Sequence, residues 1–181
     1  MLIIVGPSAS GKTQIVFELT KKYGLKKMVT FTTRPKRINE IDGIDYHFIS
    51  KDLFLDKIKN NFFLEYVCYN NNYYGTAIAD IKSDSVVILE PNGLSEYLKK
   101  VRDKVKVVFL TCDEKTLEKR MKERGDNELD IKERLKKDKI IFNKEVAALS
   151  DLVLDTSNTT LDDETKKIYQ FYYPFILENE L

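Results

Sequence analysis

Glycine is scarce in this chain, with seven residues in 181 against roughly 13 at average usage. Each one is therefore worth locating: Gly6, Gly11, Gly24, Gly43, Gly75, Gly93 and Gly125. Cysteine is scarcer. Cys68 and Cys112 form no CxxC pair and no metal-binding spacing, so they read as reduced thiols and exclude a disulfide framework. Apolar runs are short, and none approaches the ~20 residues of a membrane span. Charge of one sign is not in excess either: 30 Lys and Arg stand against 29 Asp and Glu, a net charge of +1. That excludes a global field for nucleic acid, leaving room only for a local basic patch. Neither a nucleic-acid nor a membrane partner is expected. The chain begins Met1-Leu2-Ile3-Ile4-Val5, without a basic n-region or a cleavage site, which makes the cytoplasm the expected location.

Hydrophobic content of 43% suffices for a packed core, and the length fits one compact domain with room for inserted subdomains. The pattern alternates strand and helix. Apolar runs at 2–5, 28–31, 85–89, 105–110 and 152–154 read as strands. Helical spacing covers 12–22, ending near Gly24, and then 51–60 and 94–102. Thr111-Cys112-Asp113-Glu114 fits a capping box that opens a helix to about Arg124. Helical spacing returns over 131–149 and over 161–173, the last stretch ending before Pro174. Strands alternating with helices imply an α/β fold with a parallel sheet covered on both faces. A β-rich stretch at 34–75, with a strand at 45–49 and a turn at Asn70-Asn71-Asn72, interrupts that rhythm and reads as an insertion. His47, the only histidine, alternates with Tyr46 and Phe48 and reads as an exposed bystander. The aromatic tail 169–173 reads as packing.

Gly6-Pro7-Ser8-Ala9-Ser10-Gly11-Lys12-Thr13 matches GxxxxGK[ST] in full, after a strand and before a helix. Such a loop turns successive backbone N–H groups toward a phosphate chain, and the helix N-terminus adds partial positive charge. Lys12 would reach the β- and γ-phosphates of ATP, and the Thr13 hydroxyl would ligate Mg²⁺. The motif implies nucleotide binding without specifying a reaction.

The insertion carries a second ordered set. Thr32-Thr33-Arg34-Pro35-Lys36-Arg37 is followed by Glu40, Gly43, Asp45 and Tyr46, then Phe63-Leu64-Glu65-Tyr66, then Tyr73-Tyr74-Gly75-Thr76. Arginine forks clamp phosphate. With the phosphate loop, this set resembles guanylate kinases across residues 2–149. The resemblance implies a P-loop core with a parallel sheet, a GMP-binding insertion (34–76) and a mobile helical lid (120–135), the core being 1–33, 77–119 and 136–181. It implies phosphoryl transfer from MgATP to GMP, and to dGMP. Arg34, Arg37, Tyr46 and Tyr74 would hold the GMP phosphate, while Glu65, Thr76 and Thr30 would read guanine. A carboxylate accepts from both N1–H and the N2 amino group of guanine, and adenine offers neither donor.

Arg120 and Arg124 are i, i+4 and share a helix face. With Arg134 they match the family's R-x-x-x-R-G…R lid pattern, whose arginines contact ATP and the migrating phosphoryl. Glu90 aligns either with an acid near Mg²⁺ or with one that approaches GMP, depending on whether it is counted along the strand or back from Gly93. The chain departs from the family at Pro91-Asn92, in a lid about one residue short, and at 151–157, which reads more like other P-loop kinases and borders the adenine of ATP. Two rival readings follow: a P-loop kinase for another nucleotide or a sugar phosphate, and a non-catalytic interaction module of the same fold. The sequence leaves monomer and homodimer equally open.

Overall fold

The structure is a computed structural model that describes residues 1–38, 40–69 and 71–179. In chain order the elements are β1 (Leu2–Val5), α1 (Lys12–Tyr23), β2 (Lys26–Lys27), β3 (Phe31–Thr32), β4 (His47–Phe48), α2 (Lys51–Lys59), β5 (Phe63–Tyr69) and β6 (Asn72–Ala77). There follow β7 (Ser85–Ile88), α3 (Pro91–Val101), β8 (Lys106–Thr111), α4 (Glu114–Glu123), α5 (Glu128–Ile141), α6 (Lys144–Ala148), β9 (Leu152–Asp155) and α7 (Leu161–Asn179).

Two sheets result. The larger has five strands in the order β2-β7-β1-β8-β9, all its pairs parallel. β1 lies at its centre, and its side chains are buried on both faces. Leu2 and Ile4 pack with Ile15, Leu19, Ile168 and Tyr172 of α1 and α7. Met1, Ile3 and Val5 pack on the other side with Leu94 and Tyr97 of α3. Because strand side chains alternate between faces, a strand covered on both sides needs an unbroken apolar run, and β1 is such a run. The smaller sheet, in the order β4-β3-β6-β5, is mixed, with β3–β4 parallel and the other pairs antiparallel. Gly75 in β6 allows the close approach this sheet needs, since a Cβ there would lie 2.9 Å from the Phe54 ring of α2 and 3.2 Å from the Glu65 carbonyl.

Several sequence-based expectations are corrected. The strand expected at 28–31 is split between the sheets. Met28 N–H still bonds Val86 of β7, whereas the Thr30 carbonyl already accepts from His47 of β4, so the chain changes sheets between them. The strand expected at 45–49 shortens to β4. Helix α4 is capped by Asp113, whose side chain accepts from Thr116 N. Thr111 ends β8 instead, and its carbonyl is taken by Thr156 N–H. Helix α3 begins three residues earlier than expected, with Pro91 in its first turn, where the missing N–H costs nothing. The helical spacing over 131–149 belongs to two helices, and Asn143 between them caps α6. Helix α7 runs through Pro174 to Asn179, because Tyr172, Phe175 and Ile176 are buried against the core on both sides of the proline. Of the turn expected at 70–72, Asn70 lies outside the described residues, and Asn71 has φ 62°. Packing does account for the aromatic tail, as Tyr169 stacks on Tyr23 at 4.0 Å.

Candidate active site

The loop between β1 and α1 is held from below. Gly6 passes so close to β8 that a Cβ would stand 2.7 Å from the Leu110 carbonyl. Ala9 and Gly11 take positive φ, 61° and 99°, which turns the loop into the helix start. Thr156, fully buried after β9, donates its hydroxyl to the carbonyls of Ser10 and Thr111, 3.1 Å each. Arg120 adds to this support, donating to the Thr156 carbonyl at 2.7 Å and to the Ala9 carbonyl at 3.3 Å. Lys12 folds back so that its ammonium donates to Gly6 O at 2.6 Å and Pro7 O at 2.7 Å. Burial lowers its pKa, and Glu90 and Asp138 oppose that shift. Thr13 is exposed in the first turn of α1. The Ser8 N–H donates to the Asp138 carboxylate of α5 at 2.6 Å.

The three arginines expected in a lid are divided. Arg120 serves the underside of the loop. Arg124 and Arg134 share one carboxylate, Asp126, and the Arg134 guanidinium stands 3.3 Å from it. Arg124 is the principal reason that Asp126 titrates below the usual carboxylate range.

On the second sheet, Arg34 pairs with Glu40 at 2.6 Å, and both side chains are shielded. Glu40 also accepts from Arg37 N–H at 2.8 Å, and Arg34 is the first cause of its lowered pKa. The Arg34 guanidinium lies over the Tyr46 ring at 5.5 Å, and the Tyr46 and Tyr74 rings meet edge-on at 6.1 Å. Arg34, Tyr46 and Tyr74 therefore converge. Arg37 joins them through its backbone, and Thr30 through its carbonyl bond to β4. Thr76 is fully buried and donates its hydroxyl to Glu65 at 2.8 Å. Burial pushes the Glu65 carboxyl up, with Thr76 and Lys100 pulling it back. His47 is half-buried, its ring 4.6 Å from Phe31, so it packs the sheet and is not the exposed bystander expected.

A cavity of about 1220 Å³ is lined by Ser8, Glu65, Glu90, Arg134 and Asp138, while Arg34, Tyr46 and Tyr74 stand outside its lining. Glu90 occupies the N-cap position of α3 without making a cap bond. It lines the cavity with Glu65, and its charge acts on the Lys12 ammonium.

The guanylate kinase family profile matches residues 1–173. A guanylate kinase from Hydrogenovibrio crunogenus is 36% identical over 176 residues, covering 93% of this chain and 86% of the relative. One from Mycoplasma genitalium is 40% identical over 154 residues, covering 80% and 64%. The chain belongs to the guanylate kinase family. Its fold is also that of a solved guanylate kinase from Anaplasma phagocytophilum, with a TM-score of 0.67 at 19% identity, covering 96% of this chain and 84% of that one. Phosphorylation of GMP to GDP is the family's reaction.

Local sequence does not reveal the carboxylates and the hydroxyl that hold the candidate site residues in place. Thr156 lies in the 151–157 segment, where the sequence departs from the family without marking a single residue. Glu40 lies inside the motif, and its pairing with Arg34 emerges only in the fold. Asp126 follows Gly125, a detectable signal next to two arginines. Asp138 gave no signal, lying on a charged helix 130 residues from its partner.

Proposed function

We propose that this chain transfers the γ-phosphoryl of MgATP to GMP, and to dGMP, by direct in-line transfer in the cytoplasm. The cavity carries the reading, because Ser8 of the phosphate loop, Glu65, Glu90 and Arg134 all line it. The donor would lie along residues 6–13, with the Lys12 ammonium leaving the Gly6 and Pro7 carbonyls for the β- and γ-phosphates. Arg34, Arg37, Tyr46 and Tyr74 would hold the acceptor phosphate, Arg34 exchanging Glu40 for it. Glu65 would accept from guanine N1–H and N2, with Thr76 fixing its carboxylate and Thr30 nearby. A buried carboxylate left unpaired by adenine makes a strong discriminator, worth roughly 10⁴ or more in favourable sites.

Among the described residues, no three His, Cys, Asp or Glu side chains are grouped to hold a metal. That fits Mg²⁺ arriving with ATP, since this ion takes one or two protein ligands beside substrate phosphates. Thr13 is the fitting ligand, and Glu90, whose charge acts on Lys12, would be the acid to join it. The metal would neutralise charge on the phosphates. Arg134 and Arg124, once released from Asp126, would supply further positive charge around the migrating phosphoryl, and Arg120 would hold the loop. We read residues 1–33, 77–119 and 136–181 as core, 34–76 as the acceptor-binding insertion and 120–135 as a lid whose closure excludes water.

A coupled assay of ADP release tests the base-reading role. Glu65→Ala should raise the KM for GMP by roughly 100-fold, since hydrogen bonds to a charged group are lost, with the KM for ATP little changed. Equal losses for both substrates would overturn it.

A further inference from the structure

Helix α5 is nearly all exposed, and only Ile131 and Asp138 of its residues are buried. Ile131 packs with Leu117 and Met121 of α4. Asp138, two turns on along the same face, accepts from Ser8 N–H through its Oδ2 at 2.6 Å. Among the described residues Ser8 is the one member of the 6–13 loop that lines the large cavity, so this carboxylate sits where the loop meets that cavity. Its charge is also felt at the Lys12 ammonium. Asp138 follows Arg134 by four residues, which puts both on one helix face, and both line the cavity.

A carboxylate on a backbone N–H beside a lysine has the chemistry of a bound phosphoryl oxygen, namely an anion held by a charge-assisted hydrogen bond. Two anions cannot use the same N–H. We propose that Asp138 is a positioning residue that stands in for substrate phosphate at Ser8, and that the arriving nucleotide must displace it. The proposal rests on the reading that residues 6–13 bind MgATP. While the carboxylate holds Ser8, α5 is moored to the phosphate loop through an anion. When phosphate takes its place, the helix can be held instead by the α5 cations that line the same cavity, Arg134 and Lys137. The exchange makes the docking of α5 depend on phosphate in the loop, and it weakens donor binding by the free energy of the bond displaced.

Calorimetric titration of the whole chain with MgATP, and separately with inorganic tripolyphosphate, tests this in wild type, Asp138→Asn and Asp138→Ala. Asparagine keeps an oxygen for Ser8 N–H and removes the charge. The expected result is tighter binding of both probes in both variants, by about tenfold in Asp138→Asn, the difference between a charge-assisted and a neutral hydrogen bond, and by at least as much in Asp138→Ala, which removes the bond outright. GMP affinity should be unchanged. A residue that merely supports the fold would give unchanged or weaker binding, and that result overturns the proposal. Should neither variant fold, the carboxyl ¹³C resonance of Asp138 in the wild type decides. It should shift on addition of tripolyphosphate, and a resonance that stays in place while the probe binds contradicts displacement. If the wild type binds neither probe, the phosphate-loop reading falls and the proposal with it.

Discussion

Burial and function pull Glu65 in opposite directions. Its carboxyl titrates above the usual range because it is desolvated, despite the Thr76 hydroxyl and the nearby Lys100. A folded pKa above the unfolded value means the native state favours the protonated form. That stabilisation is complete below the ordinary carboxylate range and is lost as pH rises through the folded pKa. Glu65→Gln should therefore raise the thermal midpoint of the ligand-free chain at pH 7, while raising the KM for GMP. A lowered midpoint would contradict the desolvation argument. The same sign governs the wild type. As pH falls through the Glu65 pKa, above the ordinary carboxylate value, the KM for GMP should climb while that for ATP does not follow. Residue motifs made Lys12, Arg34 and Glu65 legible, because phosphate and guanine dictate residue type and local spacing. Their partners were not legible. Asp138 meets Ser8, and Thr156 meets Ser10, across 130 and 146 residues, and such pairings are decided by tertiary packing.

At the scale of elements, long runs were readable and short ones were not. β1 and β8 announce themselves as apolar stretches buried on both faces, whereas β2, β3 and β4 have two residues each, too few for any periodicity. Proline misled the reading of α7. A proline inside a helix removes one hydrogen bond and crowds the preceding turn, and here burial of Tyr172, Phe175 and Ile176 offsets that at ~1.5–3 kcal/mol per side chain. Pro174→Ala should then stabilise the chain by about 1–2 kcal/mol, once the looser unfolded state of the alanine variant is counted. For a chain this long that is a rise of roughly 2–8 °C in the thermal midpoint. An unchanged or lower midpoint would show that the helix does not strain to pass the proline. Helix α5 illustrates the converse. Its sequence promised a helix, but its exposed length and two buried anchors follow from what it docks against.

The whole molecule sets two sheets of different construction beside a cavity. The loop after the first strand of the parallel sheet brings Ser8 to it, and the mixed sheet brings Glu65. The α/β class with a parallel sheet was legible from the strand–helix alternation, and the mixed sheet only as a β-rich interruption of it. What the alternation could not convey is that Ser8 and Glu65 would face a common space, since that depends on how α3 packs on β5. The account stands on that shared space being a donor and acceptor site. The most direct measurement is ADP release from MgATP with GMP, dGMP, AMP, CMP or UMP as acceptor. Turnover on GMP and dGMP, exceeding that on the other three by ~10⁴ in kcat/KM, is the predicted result. Equal turnover on all acceptors, or ATP binding with no turnover on any, would contradict it.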